Sequence, residues 1–293
     1  MMRKLILLTM ALLWGAIVVK AGGDEALVRI SVAPMRARAA HSSEQVSQAL
    51  MGTPVKIVDR GDGWSLCVTP DGYRGYIIDH SLARKTPEQM KRWRSAPRVM
   101  VTAPYEFRAA DGTGSPVTDL VAGCILERDS DGLSTPDGRR LRHLPAGSAV
   151  PLEQIASGGF SPEALPEFAA LYAGSPYLWG GLSSKGMDCS GLVRMAYMAQ
   201  GRLLPRDARD QIREGAAVER DSLAPGDLIF FGNPSTGSVT HVGIYRGGGE
   251  YVHSSQLVRV NSLSESSPLY LPLRVVGFRR VAGVPLSELP EYF

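Results

Sequence analysis

Cysteine is scarce: three residues in 293 cannot all pair, and a scaffold built on disulfides is excluded. No C-x-x-C or H-x-x-x-H spacing groups these cysteines with the five histidines, so the ligand clustering of a structural zinc site is missing. One cysteine and two histidines keep a zinc centre only as a rival reading. Gly247-Gly248-Gly249 lacks the strand-to-helix setting of a phosphate loop. A membrane span needs roughly 20 apolar residues, and the run at 5–19 has fifteen. Flanked by Met1-Met2-Arg3-Lys4 and Val19-Lys20-Ala21, it reads as a signal peptide, residues 1–21, with an uncleaved anchor as the alternative; no cysteine follows it, against a lipoprotein. Its removal takes Arg3, Lys4 and Lys20 from the 32 basic residues and none of the 29 acidic ones, so the formal charge of +3 belongs to the leader. The balanced mature chain gives no electrostatic ground for binding nucleic acid. The expectation is a monomeric exported protein, periplasmic or secreted, with two or three domains and no stable membrane span once the signal is removed.

Chemistry enters at Asp188-Cys189-Ser190-Gly191. Leu192, Val193, Ala196 and Ala199 recur at helical spacing and Gly201 follows as a stop, so Asp188 reads as the N-cap and Cys189 as the first helical residue. The free N–H groups and dipole of a helix start stabilise a thiolate, and a neighbouring imidazolium lowers the ordinary cysteine pKa of about 8.5 further. Two short β-like runs, 240–245 and 250–254, flank Arg246-Gly247-Gly248-Gly249 and read as a hairpin. With Tyr245 opposite Gly249 across a three-residue loop, His241 falls directly across from His253, Cβ atoms about 5 Å apart. One histidine then reaches the sulfur and the other orients the first, the arrangement a cysteine peptidase requires.

Tyr177-Leu178-Trp179-Gly180-Gly181, Asp188-Cys189-Ser190-Gly191, Leu204-Pro205-Arg206-Asp207, Pro225-Gly226-Asp227-Leu228-Ile229-Phe230-Phe231, His241-Val242-Gly243-Ile244-Tyr245 and His253 stand in the order shown by the NlpC-type cell-wall cysteine peptidases, which this chain resembles. The resemblance implies a circularly permuted papain-like domain, α+β, at about 156–281, with Cys189 as nucleophile, His241 as base, His253 as orienting residue, and no metal or cofactor. It makes Tyr177 an oxyanion candidate beside the Cys189 N–H. Asp188 and Ser190, which flank the nucleophile, count among the substrate-binding residues.

Between leader and catalytic region the chain repeats itself: Asp62-Gly63-Trp64 leads to Thr69-Pro70-Asp71-Gly72, and Asp131-Gly132-Leu133 to Thr135-Pro136-Asp137-Gly138. Short alternating runs at 28–32, 55–58, 64–68 and 125–127, spaced by turn residues, predict two small all-β barrels. They resemble bacterial SH3-like domains, at about 24–84 and 96–153. Two such barrels ahead of the catalytic domain resemble a subgroup that cuts murein peptides between γ-D-glutamate and the following diamino acid. In that subgroup a glutamate and a tyrosine of the first barrel, with an aspartate of the catalytic domain, bind the free amine of the N-terminal L-alanine. Carried over, these are Glu44, Tyr73 and Asp207, with Tyr76 as the alternative tyrosine.

Plainer readings stand beside these. By pattern alone Asp207 caps a helix at 208–212, Glu44 is a first-turn helix residue on a solvated face, Tyr73 and Tyr76 are sheet-surface residues, and Asp227 is turn chemistry. Cys67 and Cys124 read as buried small hydrophobes, with a mutual disulfide as the alternative. The competing functions are a wall-remodelling endopeptidase acting on intact sacculi, a chiefly cell-wall-binding protein, and an acyltransferase of the permuted-papain type. The last would need a membrane-facing apolar segment, which the mature chain lacks.

Overall fold

Alternating apolar residues bounded by Gly, Pro and Asp build the first half of the chain as short antiparallel strands. The computed structural model describes residues 24–142 and 144–293, and the expected signal peptide lies outside them. Seven strands between Asp24–Val28 and Leu82–Lys85 form one antiparallel sheet whose interior holds Ala26, Met35, Ile57, Cys67 and Ile77. The run at 28–32 is not one strand: Asp24–Val28 ends there and Val32–Arg36 begins after a bend. Likewise Glu44 does not open a helix but enters the strand Gln45–Leu50.

The region 96–153 holds a five-stranded antiparallel sheet centred on Arg98–Val101 and Ile125–Asp129, with Phe107–Ala110 and Pro116–Leu120 paired separately. The sequence repeat is a structural one. Thr69 Oγ1 bonds Asp71 and Thr135 Oγ1 bonds Asp137, each at 2.6 Å, and both turns close through the amide of the following glycine. Between the two sheets runs the helix Pro87–Ser95, with a Thr86/Gln89 capping box and Pro87 in its first turn. Cys67 and Cys124 are both free and fully buried, with no bond between them.

The catalytic region carries a six-stranded antiparallel sheet in the order Ala216–Ala217, Val275–Arg280, Leu228–Asn233, Ser238–Gly247, Glu250–Ser255, Leu257–Ser262. Cys189–Met198 packs on it, burying Leu192, Val193 and Ala196 against Val242, Ile244 and Val252. Residues beyond 281 belong to the same body: Val284–Pro285 pairs with Arg202–Leu203, and Tyr292 is buried with Met90, Trp93 and Leu203. Among the described residues no helix is long and apolar enough to cross a membrane.

Candidate active site

Cys189 is the first residue of the helix Cys189–Met198, and Asp188 caps it, accepting from the Gly191 N–H at 2.7 Å. Asp188 has no capacity left for a ligand. Its other oxygen accepts from the Gly180 N–H at 2.9 Å, and the buried Arg206 guanidinium bonds the carboxylate at 2.6 and 3.0 Å. Ser190 Oγ likewise bonds Arg206 and Asp188, so both side chains brace the start of the Cys189 helix. Arg206 also bonds Ser47 Oγ of the first barrel at 2.9 Å. The nucleophile's cap is thereby tied to the domain in front of it.

The hairpin that carries the histidines differs in register from the sequence expectation. Gly248 and Gly249 take φ of 61° and 81°, giving a two-residue turn of the type that needs positive φ at both positions. Gly247 then pairs with Glu250, Arg246 bulges out, and Tyr245 pairs with Tyr251 rather than Gly249. His253 thus lies across from Gly243, two residues from His241. Contact is made on the diagonal: His241 Nε2 and His253 Nδ1 are 2.7 Å apart, their rings nearly perpendicular at 83°. Gly243 leaves the room for it, since a Cβ there would sit 2.8 Å from the Tyr251 ring and 3.3 Å from the His253 Cβ.

The thiol is 7% exposed, and burial first, then the Asp188 carboxylate, pushes its pKa up to about 11; the N–H groups of Val242 and Ser190 and the Arg206 charge pull the other way. Burial, then His253, holds His241 down at about 3, and burial also lowers His253. Burial is the first cause of both shifts and favours the uncharged thiol and imidazole, opposing the helix start that the sequence expectation of a thiolate rests on. No hydrogen bond joins Cys189 to His241 among the described residues; such bonds tighten when substrate arrives. His241 Nε2 is committed to His253, which leaves Nδ1 as the proton acceptor. Tyr177 lies beside the thiol: burial, then the Cys189 and Asp188 charges, pushes its phenol up to about 12.

The first barrel reaches this site directly. Trp179 donates from its indole to Glu44 at 2.8 Å while its carbonyl accepts from Gln45 at 2.9 Å. Gly180, next in the chain, runs so close to the barrel that a Cβ would stand 2.9 Å from the Gln45 carbonyl. Tyr73, bonded to the Val46 carbonyl at 3.2 Å, is pushed up to about 12 by burial and then by Asp207. That side chain, not Tyr76, is the one that faces Asp207. Asp207 stands at the N-cap of Ala208–Gln211 without making the cap bond and accepts instead from Arg209 at 2.9 Å. Deeper in the same interface, Arg194 of the nucleophile's helix is fully engaged by Asp71 of the barrel.

Sequence reasoning gave no role to five residues around the site. Trp179 and Arg206 stood in quoted motifs without a role. Arg194 and Asp71 lie 123 residues apart, with nothing in either to announce the other. Asn261, whose Oδ1 is 2.8 Å from His253 Nε2, was signalled only by the alternation of Val258 and Val260 around it. Asp227 is more than turn chemistry: it is buried and takes two bonds of 2.8 Å from Arg280. No group of three or more His, Cys, Asp or Glu side chains capable of holding a metal occurs among the described residues.

Residues 174–277 match the NlpC/P60 family and residues 31–83 the bacterial SH3 domain. The chain is 30% identical over 221 residues to the gamma-D-glutamyl-L-lysine dipeptidyl-peptidase of Bacillus subtilis, covering 71% of each chain. To dipeptidyl-peptidase 6 of Lysinibacillus sphaericus it is 33% identical over 252 residues, covering 78% of this chain and 88% of that one. An NlpC/P60 family protein from Bacillus cereus has the same fold, with a TM-score of 0.75 at 23% identity over 88% of this chain and 99% of the other. A chain whose nucleophile helix, histidine hairpin and leading SH3 domain align with such relatives across most of their length belongs to the NlpC/P60 family.

Proposed function

We propose that this hydrolase is a cysteine peptidase of murein peptides, cutting the bond between γ-D-glutamate and the following diamino acid in peptides whose N-terminal L-alanine is free. Cys189 Sγ attacks the γ-glutamyl carbonyl carbon as its proton passes to His241 Nδ1. The Cys189 N–H and Tyr177 hold the oxyanion, and His241 then protonates the departing amine. Water hydrolyses the resulting thioester by the same base. His253 keeps His241 oriented throughout.

The observation that carries the specificity is that Tyr73 of the barrel faces Asp207 of the catalytic domain, while Glu44 of the same barrel bonds Trp179 of the catalytic domain. Two carboxylates there favour a cation, and an N-terminal ammonium supplies one; a neutral, bulkier amide leaves both charges without that partner. The names of the relatives matched across both domains agree, whereas the murein DD-endopeptidase MepH of Escherichia coli is 42% identical over only 37% of this chain. A barrel bonded to the catalytic domain through Glu44–Trp179 and Ser47–Arg206 supports a site for soluble peptides of an exported, periplasmic recycling enzyme more than one for intact wall.

Incubation of the mature chain with L-Ala-γ-D-Glu-diamino acid peptides and with intact sacculi, read by mass spectrometry, tests this. The expected products are L-Ala-D-Glu and the free diamino acid end, with no solubilised sacculus and no turnover by Cys189→Ala. Digestion of sacculi at a comparable rate would instead establish a wall-remodelling endopeptidase.

A further inference from the structure

Leu257–Ser262 folds straight back on Glu250–Ser255 through Gln256, which takes φ 64°, and the register sets His253 opposite Arg259 and Tyr251 opposite Asn261. These four side chains share one face of the sheet, beside His241. Asn261 is nearly buried there, and its amide is oriented by a group that can only accept: the Leu269 carbonyl, 2.7 Å from Nδ2. Turning the amide over would set oxygen against oxygen. Oδ1 therefore faces His253 Nε2, at 2.8 Å, as an acceptor, and a hydrogen bond forms only if Nε2 carries the proton. Neutral His253 protonated on Nε2 has a bare Nδ1, so the proton in its 2.7 Å contact with His241 Nε2 belongs to His241. What remains unprotonated is His241 Nδ1.

We infer that Asn261 is a positioning residue of the catalytic centre: held by the Leu269 carbonyl, its amide fixes the tautomers of His253 and His241 in turn and so keeps the base's lone pair on Nδ1. The inference rests on the Cys189, His241 and His253 assignment proposed above. An uncharged amide is the suitable end for this chain. His253 is faced by His241 from one neighbouring strand, by Arg259 from the other and by Tyr251 along its own; burial lowers its pKa most, the Asn261 bond works against that, and the Arg259 charge adds to the lowering. Asn261 sets the proton's position without adding a negative charge that would raise the basicity of His241 and keep it protonated, with no lone pair to take the thiol proton.

Nitrogen-15 spectra of the imidazoles of the full mature chain, with each signal assigned through His241→Gln and His253→Gln, read the tautomers without any substrate. Both histidines are expected to carry the proton on Nε2 near neutral pH; a proton on Nδ1 of either would overturn the inference while leaving the peptidase reading intact. Asn261→Leu removes the acceptor at similar volume and should lower kcat about tenfold to a hundredfold with little change in KM, and mix the His253 tautomers. Asn261→Asp keeps an acceptor for His253 Nε2 but gives up the bond to the Leu269 carbonyl, so it should lose clearly less rate than Asn261→Leu, while its carboxylate moves the acid limb of the kcat profile up by about one unit or more. A merely structural asparagine predicts equal losses in both variants and an unmoved acid limb, and that result would refute the positioning role. Should Asn261→Leu fail to fold, the wild-type spectra and Asn261→Asp still decide the matter.

Discussion

Cys189 sits where two physical effects oppose each other, and burial prevails over the helix start. For the proposed mechanism this predicts a proton transfer that accompanies attack instead of preceding it. Iodoacetamide should label Cys189 ahead of Cys67 and Cys124, which are wholly buried and whose thiols burial pushes up to about 12. The labelling rate should climb steadily towards alkaline pH; a plateau already reached near pH 6 would show a resting thiolate–imidazolium pair and contradict this picture. The histidines should separate by role. His241→Ala removes the proton acceptor and should cost about a thousandfold or more in turnover, whereas His253→Gln keeps a polar partner and should be milder. Equal losses would sink the assignment. His241 also makes the fold acid-sensitive. Its value falls from an ordinary imidazole's, about 6.5, to about 3 in the folded chain, so between those values the unfolded chain binds a proton that the folded one refuses. Stability is full above about pH 6.5 and declines as pH falls towards 3. Thermal melts across that range should show a smaller decline for His241→Gln than for the unmodified protein; parallel declines would remove His241 as a cause.

The hairpin from Ser238–Gly247 to Glu250–Ser255 shows how far an element can be read from sequence. Its existence, its turn glycines and the meeting of two histidines were legible, because β-branched alternation and a Gly run are local signals. Its register was not, since a bulge at Arg246 converts a three-residue loop into a two-residue one and no residue type there prescribes which forms. The nucleophile's helix and its Asp188 cap were readable for the same local reason. Partners that come from distant segments, such as Asn261, Arg206 and the Asp71–Arg194 pair, were not. Gly243→Ala tests the element itself: a methyl group wedged against Tyr251 and His253 should lower kcat by about tenfold or more through misplacement of the histidines. Unchanged turnover would mean that the diagonal contact does not matter. The buried Asp71–Arg194 pair locks the barrel to the catalytic helix, and Asp71→Ala, by leaving Arg194 charged and alone, should destabilise the protein by about 3–5 kcal/mol in denaturant melts.

At the scale of the whole molecule, the first barrel is packed directly against the candidate active site. Trp179, Gly180, Arg206 and Arg194 of the catalytic domain each meet a barrel residue, and the two carboxylates proposed to hold the substrate's amine come one from each domain. Glu44→Ala and Asp207→Ala should weaken cleavage of free peptides, mainly in KM, without licensing digestion of sacculi, because the Ser47–Arg206 and Asp71–Arg194 bonds still hold the barrel in place. The most direct test of this joint site is a competition between two peptides that differ at one nitrogen: L-Ala-γ-D-Glu-diamino acid with its alanine amine free, and the same peptide acetylated there. The proposed site predicts a kcat/KM at least about tenfold higher for the free amine, the loss expected when a charge-assisted hydrogen bond to the carboxylates is removed. Equal rates on the two peptides would contradict it.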